Sequence, residues 1–151
     1  MGKLIKIGLT GCIGMGKSTT LKMFQNEGVS TWSADEAVSR LYTKGGQAVL
    51  KVQALTPESV VDNAVSREKL REEVKKRPEL LLSLELIVNP LIKTDRERFL
   101  CSNSEHRAVV LDLPLLFENK MESDFDIIVV VSATEEEQKE RVLSRNTMDI
   151  K

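Results

Sequence analysis

The chain has 151 residues, about the length of one domain, and its 41% hydrophobic and 30% charged residues exclude a disordered or fibrous protein. The net charge is -1 and the basic residues are spread along the chain rather than gathered in one run, so a nucleic-acid partner is not expected. No apolar stretch approaches the roughly 18 residues of a membrane helix and no signal peptide precedes the first strand, which predicts a cytoplasmic protein without a membrane partner.

Short apolar runs rich in β-branched residues alternate along the chain with longer segments of helical period, which predicts an α/β fold with a mostly parallel sheet. The predicted strands are residues 4–9, 29–32, 108–113 and 127–131. Helices are predicted at residues 17–27, with Gly28 as a left-handed stop, and at 34–42. Thr134, followed three residues later by Glu137, has the signature of a capping box and predicts a helix over 135–145.

The stretch between residues 45 and 101 contains no convincing strand. Its apolar period predicts a helical insertion, with Pro78 and Pro90 separating the helices. The predicted helices are residues 47–54, 67–76, 79–88 and 90–100. Residues 1–151 are therefore interpreted as one domain with an insertion at about 45–101, which is a candidate substrate-recruiting subdomain.

Residues 11–18 read Gly-Cys-Ile-Gly-Met-Gly-Lys-Ser and satisfy G-x-x-x-x-G-K-[ST], the pattern of a phosphate-binding P-loop, between a predicted strand and a predicted helix. Backbone N–H groups of such a turn surround a triphosphate, and the helix N-terminus adds favourable charge. Lys17 is expected to meet the β- and γ-phosphates, and Ser18 to bind Mg²⁺. A chance glycine-rich turn is the alternative. The predicted ATP-binding residues are Gly11, Cys12, Ile13, Gly14, Met15, Gly16, Lys17, Ser18 and Thr19.

Two carboxylates follow predicted strands at the edge where ligands collect in open α/β sheets. An unpaired charge at the end of a buried strand is unfavourable, so Asp112 is expected to contact Mg²⁺ through water or to pair with Lys17, with a structural hydrogen bond as the alternative. Asp35 is placed to orient a hydroxyl group and accept its proton, or to cap the following helix.

With the P-loop, the segments Ser33-Ala34-Asp35 and Pro114-Leu115-Leu116-Phe117-Glu118 resemble the dephospho-coenzyme A kinases, and the resemblance covers nearly the whole chain. It implies a P-loop NTPase three-layer α/β fold with a helical substrate-binding insertion. It also implies that ATP, with Mg²⁺, phosphorylates the ribose 3′-hydroxyl of dephospho-CoA in the last step of coenzyme A synthesis. It implies nothing about the oligomeric state.

The same resemblance implies roles for single residues. Asp35 would face the acceptor hydroxyl, and Lys17 would act on the transferring phosphate. Arg141 and Arg145 share a helix face and would act with Lys17 on the transferring phosphate, from the start of a lid at about 141–151. The alternative is that both arginines are simply exposed to solvent. The residues expected to line the acceptor site are Leu115, Leu116, Phe117 and Glu118, although core packing is an alternative for the apolar three.

The sequence departs from the family at several points. Ser33 stands where the first aspartate of a D-A-D motif is usual, and Asn89 stands where histidine is usual. The family also continues past the position of Arg145 with the rest of the lid, a fifth strand and a closing helix. Two alternatives remain open at this point: another P-loop kinase acting on a nucleoside monophosphate or a shikimate-like alcohol, and an ATP-binding module without turnover.

Overall fold

The computed structural model describes residues 2–11 and 16–144. They form two compact units: the first comprises the described residues up to 34 together with residues 102–144, and the second comprises Asp35–Cys101. In chain order the elements are β1 (Ile5–Gly11), α1 (Lys17–Asn26), β2 (Ser30–Ser33), α2 (Ala34–Tyr42), α3 (Val49–Leu55), β3 (Val60–Val61), β4 (Ala64–Val65), α4 (Arg67–Lys76), α5 (Leu80–Ser102), β5 (Ala108–Asp112), β6 (Ile127–Val131) and α6 (Glu135–Ser144). No described helix is both long enough and apolar enough to cross a membrane.

The first unit is built on a four-stranded sheet with the order β2-β5-β1-β6, in which every described pairing is parallel. The predicted α/β fold with a parallel sheet is therefore confirmed. Leu9 of β1 and Ser33 of β2 both lie opposite Asp112 of β5 in the register. Because parallel strands end at the same edge, this register brings the candidate site residues of three strands together.

The strands differ in burial according to their place in the sheet. Val109, Val110 and Leu111 of the inner strand β5 are buried, as expected of a strand covered on both faces. On β6, Ile127 is 48% exposed and Val130 is 57% exposed. Within the described part of the chain β6 pairs only with β1, so it is an edge strand there.

The predicted ends of two helices in this unit are confirmed. The helix α1 ends at Asn26, and Gly28, at φ 78°, donates its N–H to the carbonyl of Gln25. Before α6, the Thr134 N–H donates to Glu137 Oε2 at 3.1 Å, and the Glu137 N–H donates to Thr134 Oγ1 at 3.2 Å. These reciprocal bonds form the predicted capping box and fix the start of α6.

The second unit has its own apolar core, formed by residues of α2, α3, α4 and α5 together with β4. The buried members are Leu41, Ala48, Val49, Val52, Val65, Leu70, Leu84 and Val88. Of the helices predicted here, residues 67–76 are confirmed and residues 47–54 are shifted by one or two positions.

Two predictions for the second unit were wrong. Pro90 does not separate two helices, because α5 runs through it from Leu80 to Ser102. An interior proline costs about 3 kcal/mol, and here burial of Leu84 and Val88 on the core face offsets that cost. The unit also contains a strand pair, β3 with β4, joined by a two-residue turn in which Asp62 and Asn63 have φ values of 50° and 62°. This is the left-handed geometry of a tight hairpin, which Asn and Asp tolerate better than most residues.

Candidate active site

The two ends of the predicted P-loop are fixed by neighbouring backbone. Gly11 ends β1 opposite Val131 of β6, and a Cβ on Gly11 would lie 2.7 Å from the Val131 carbonyl oxygen. Only glycine fits at that approach. Gly16, at φ 90°, occupies the left-handed conformation immediately before α1. The predicted phosphate-binding residues Cys12, Ile13, Gly14 and Met15 lie outside the described residues.

The N-terminus of α1 is suited to an anion. Gly16 has no side chain to cap the helix, and the first turn carries no acidic residue. Ser18 and Thr19 of that turn are exposed. Helix N-termini leave N–H groups without intrahelical partners and carry partial positive charge. The arrangement therefore favours phosphate at the place that the motif predicts.

Lys17 and Asp112 form an ion pair at the carboxyl edge of the sheet. Lys17 Nζ lies 2.9 Å from Asp112 Oδ1, and the two side chains are 18% and 10% exposed. The contact is a charge pair rather than an aligned hydrogen bond, because Oδ1 has no hydrogen-bond donor among residues 2–11 and 16–144. An isolated carboxylate at this depth would be costly, so the Lys17 ammonium compensates it.

The strands on either side of β5 also carry buried polar residues near their carboxyl ends. Thr10 and Ser33 are buried, and Ser33 lies opposite Asp112 in the β2–β5 register. The described residues contain no group of three or more His, Cys, Asp or Glu side chains able to hold a metal ion. The oxygen donors available here are the exposed Ser18 hydroxyl and the Asp112 carboxylate, which suit Mg²⁺ when waters and phosphates supply the remaining ligands.

Arg141 lies beside the P-loop. Its Nη1 atom is 3.1 Å from the position that a Cβ on Gly16 would occupy, so the guanidinium packs over the last glycine of the loop. It comes from α6, whose start the capping box fixes. A second cationic side chain therefore lies at the start of α1, beside the residue that precedes Lys17. Arg145, predicted to act with Arg141, lies outside the described residues.

The residues predicted to line the acceptor site lie on the loop after β5, where one is buried in the core and three are exposed. Leu116 is fully buried, and its Cδ1 is 2.9 Å from where a Cβ on Gly8 would lie, so it belongs to the core and presents no surface to an acceptor. Leu115, at φ 55°, and Phe117 are exposed, as is Glu118. Two large apolar side chains and one carboxylate on this loop are therefore exposed.

Asp35 belongs to the second unit and is exposed. Because α2 begins at Ala34, Asp35 lies within the first helical turn, not before it as a cap would. Its negative charge is favourable there. The Asp35 carbonyl accepts hydrogen bonds from Ser39 Oγ at 3.0 Å and, more weakly, from Arg67 Nη2 at 3.5 Å.

The second unit contains a pocket that was not predicted from the sequence, which we call the α2–α4–α5 pocket. It has a volume of about 600 Å³, within the range of small-molecule sites. Its apolar wall is formed by Val38, Tyr42, Leu70, Val74, Leu81, Leu84, Val88 and Ile92, and its polar residues are Arg67, Arg71, Lys75, Glu85 and Asn89. Burial raises the pKa of Tyr42, although the positive charge of Arg67 acts against the increase.

One sequence signal pointed to this pocket. Arg67, Arg71 and Lys75 recur every fourth residue along α4, which places three cations on one helix face. A basic row of this kind is usually solvated, and only the packing of α2 and α5 shows that it borders an apolar cavity.

Residues 5–151 match the family model described as dephospho-CoA kinase. The dephospho-CoA kinase of Ruegeria pomeroyi is 49% identical over 95% of this chain and 72% of its own length. That of Cereibacter sphaeroides is 45% identical, again over 95% and 72%.

Solved structures share the fold of this chain. The crystal structure of TT1252 from Thermus thermophilus superposes with a TM-score of 0.84 at 32% identity, covering 98% of this chain and 75% of that one. The dephospho-CoA kinase from Campylobacter jejuni has a TM-score of 0.61 at 15% identity and shares the fold. The chain belongs to the dephospho-CoA kinase family.

Proposed function

We propose that this chain transfers the γ-phosphoryl group of ATP to the ribose 3′-hydroxyl of dephospho-CoA, giving coenzyme A and ADP. In this reaction the hydroxyl oxygen bonds to the γ-phosphorus, the bond from that phosphorus to the β–γ bridging oxygen breaks, and the hydroxyl proton is released. The observation that carries the proposal is the meeting of Lys17, Asp112 and Arg141 at the uncapped N-terminus of α1. A cytoplasmic location remains a prediction of the sequence.

The phosphates of ATP would lie against the residues around the start of α1. The loop from Gly11 to Thr19 would surround them with N–H groups, and the helix end would add partial positive charge. Lys17 and Arg141 would contact the γ-phosphate and stabilise the charge on its oxygens in the transition state, with Arg145 as a further cation. Because the transition state is loose, positioning and charge supply most of the rate enhancement.

Mg²⁺ is the cation that the oxygen donors of this site suit. Ser18 would hold it directly through its exposed hydroxyl, and Asp112 would hold it through water. When bound, the ion would neutralise negative charge on the triphosphate. The Asp112 carboxylate would then orient two cations, the metal ion and the Lys17 ammonium.

Asp35 is proposed as the group that orients the acceptor hydroxyl and accepts its proton. It is exposed, and its place in the first turn of α2 leaves the carboxylate in the favourable field of the helix end. Leu115, Phe117 and Glu118 are proposed acceptor contacts because all three are exposed on one loop. Leu116 would act by supporting that loop from the core.

The α2–α4–α5 pocket is proposed to bind the pantetheine arm of the acceptor. The second unit would then act as the substrate-binding insertion of the kinase. The end of α6 is proposed to be the start of a lid. Asp35, Val38 and Tyr42 are three and four residues apart along α2 and share one face. An acceptor with its hydroxyl at Asp35 would meet apolar wall and the α4 cations farther along that face. An arm that is partly apolar and linked to a diphosphate fits both.

The test is an acceptor panel with γ-labelled ATP. We expect label in coenzyme A and little in shikimate or a nucleoside monophosphate, and the reverse preference would contradict the proposal. Asp35→Asn should lower the transfer rate by about 10²-fold with nearly unchanged ATP affinity. The matched control is Glu36→Gln, the next carboxylate of α2, which should retain the rate. Loss of ATP binding in Asp35→Asn would assign this residue to the wrong substrate.

A further inference from the structure

Arg67 links the first residue of α4 to the first turn of α2. Its Nη2 atom donates to Ser39 Oγ at 2.9 Å, and Ser39 Oγ donates to the Asp35 carbonyl oxygen at 3.0 Å. The same Nη2 atom lies 3.5 Å from that carbonyl oxygen. The Asp35 backbone is thus the end of a short hydrogen-bonded chain that begins at a guanidinium on another helix.

The guanidinium is also held by an aromatic ring. It lies over Tyr42 with 5.8 Å between Cζ and the ring centroid, within the range of a cation–π contact. Tyr42 is one turn beyond Ser39 on α2, so Arg67 contacts α2 at two successive turns. Both Arg67 and Tyr42 line the α2–α4–α5 pocket. One side chain therefore borders the pocket and anchors the turn that carries Asp35.

We propose that Arg67 is a positioning residue for phosphoryl transfer, holding the first turn of α2 so that Asp35 meets the acceptor hydroxyl while the arm occupies the pocket. This inference rests on the proposed function. Helix ends open more readily than helix centres, and the Ser39 bond to the carbonyl four residues earlier is local to α2. The Arg67 contacts, in contrast, tie the turn to another element, the helix α4.

The geometry requires a guanidinium rather than a simple positive charge. Its planar, delocalised group serves the Ser39 hydroxyl, the Asp35 carbonyl and the Tyr42 face together. A lysine ammonium is a compact point charge and would not satisfy all three. A displacement of the reacting groups by about 1 Å can cost about 10²-fold in rate, so loss of the anchor should affect kcat.

The kinetic test compares Arg67→Ala, Arg67→Lys and Arg71→Ala, measuring kcat and KM for both substrates. We expect Arg67→Ala to lower kcat by about 10- to 100-fold with the KM for ATP unchanged, and Arg67→Lys to recover only part of this. Arg71 lines the same pocket one turn along α4, and we find no bond from it to α2 in the described chain. Its loss should raise the KM for dephospho-CoA and leave kcat nearly unchanged.

Two further variants distinguish loss of the Arg67 contacts to α2 from a general loosening of that helix. Arg40→Ala removes another arginine of α2, paired with Asp95 of α5 and away from the first turn, and should retain kcat within about 2-fold. Ser39→Ala combined with Arg67→Ala should lower kcat no more than Arg67→Ala alone, because both residues act through one chain. If Arg67→Ala and Arg71→Ala both change only the KM for dephospho-CoA, Arg67 is a pocket cation and the proposal is wrong.

A readout without turnover keeps this inference distinct from the proposed function. Amide hydrogen exchange should become faster at residues 35–39 in Arg67→Ala and remain unchanged there in Arg40→Ala. Unchanged exchange in Arg67→Ala would overturn the anchor even if the wild type transfers phosphate. If the wild type transfers no phosphate to dephospho-CoA, the proposed function fails, whereas faster exchange in Arg67→Ala would still support the anchor.

Discussion

Removing Lys17 should destabilise the protein as well as abolish its activity. Lys17→Ala would leave the Asp112 carboxylate, 10% exposed, without its cationic partner. Breaking a buried pair from one side costs about 3–5 kcal/mol, and because the Lys17 side chain is itself 18% exposed we expect about 2 kcal/mol. For a chain of this size that corresponds to a Tm lower by about 4–8 °C.

A double variant separates stability from catalysis. Lys17→Met with Asp112→Asn removes both charges and should recover most of the lost Tm, yet it should remain inactive because the phosphate contact is still missing. Lys22→Ala, an exposed lysine of the same helix, is the control and should change the Tm by less than about 2 °C. Thermal unfolding followed by circular dichroism measures all three.

A Lys17→Ala protein whose Tm equals that of the Lys22→Ala control would show that the ion pair contributes no stability. A double variant as unstable as Lys17→Ala would show that the loss comes from packing around the lysine stem and not from an uncompensated charge.

Three further predictions concern the scaffold of the site. Gly11→Ala should lower the Tm and ATP affinity together, whereas Gly2→Ala, with no atom within 4 Å of its added Cβ, should change neither; equal Tm values would contradict the proposed steric clash. Hydrogen bonds from the Thr134 N–H and hydroxyl hold the pKa of Glu137 below its usual 4.5, so their stabilisation is present above that pH and is lost as pH falls through the lower folded-state pKa. In urea unfolding, Thr134→Ala should cost about 1 kcal/mol at neutral pH and flatten the acid dependence, and an unchanged profile would count against the capping box. We expect sedimentation to detect self-association through β6, an apolar edge strand in the described chain, and we expect Val130→Lys to reduce it; association unchanged by this substitution would exclude that edge as the contact.

The elements around the P-loop were predictable because their signals are local. Strand β1 and helix α1 flank a motif whose spacing fixes where one ends and the other begins. The capping box at Thr134 is likewise contained within four residues. The sequence did not give the strand order, so the meeting of Ser33, Leu9 and Asp112 across three strands appears only in the register.

The errors in the second unit have a common cause in long-range packing. Pro90 has the local character of a helix breaker, and the core contacts of Leu84 and Val88 carry α5 through it. The hairpin of β3 and β4 has only two residues in each strand, too few for an alternating pattern to be recognised. Arg67 and Asp35 are 32 residues apart, so their link could not be deduced from spacing.

The most direct test of the account is a single turnover with equimolar protein, dephospho-CoA and γ-labelled ATP, in which ³¹P NMR and mass spectrometry locate the transferred group. The account predicts that the label appears as a 3′-phosphate on the ribose of the acceptor with ADP formed in equal amount, and that Lys17→Ala forms neither product. Hydrolysis of ATP to free phosphate without labelled coenzyme A, or undiminished transfer by Lys17→Ala, would contradict it.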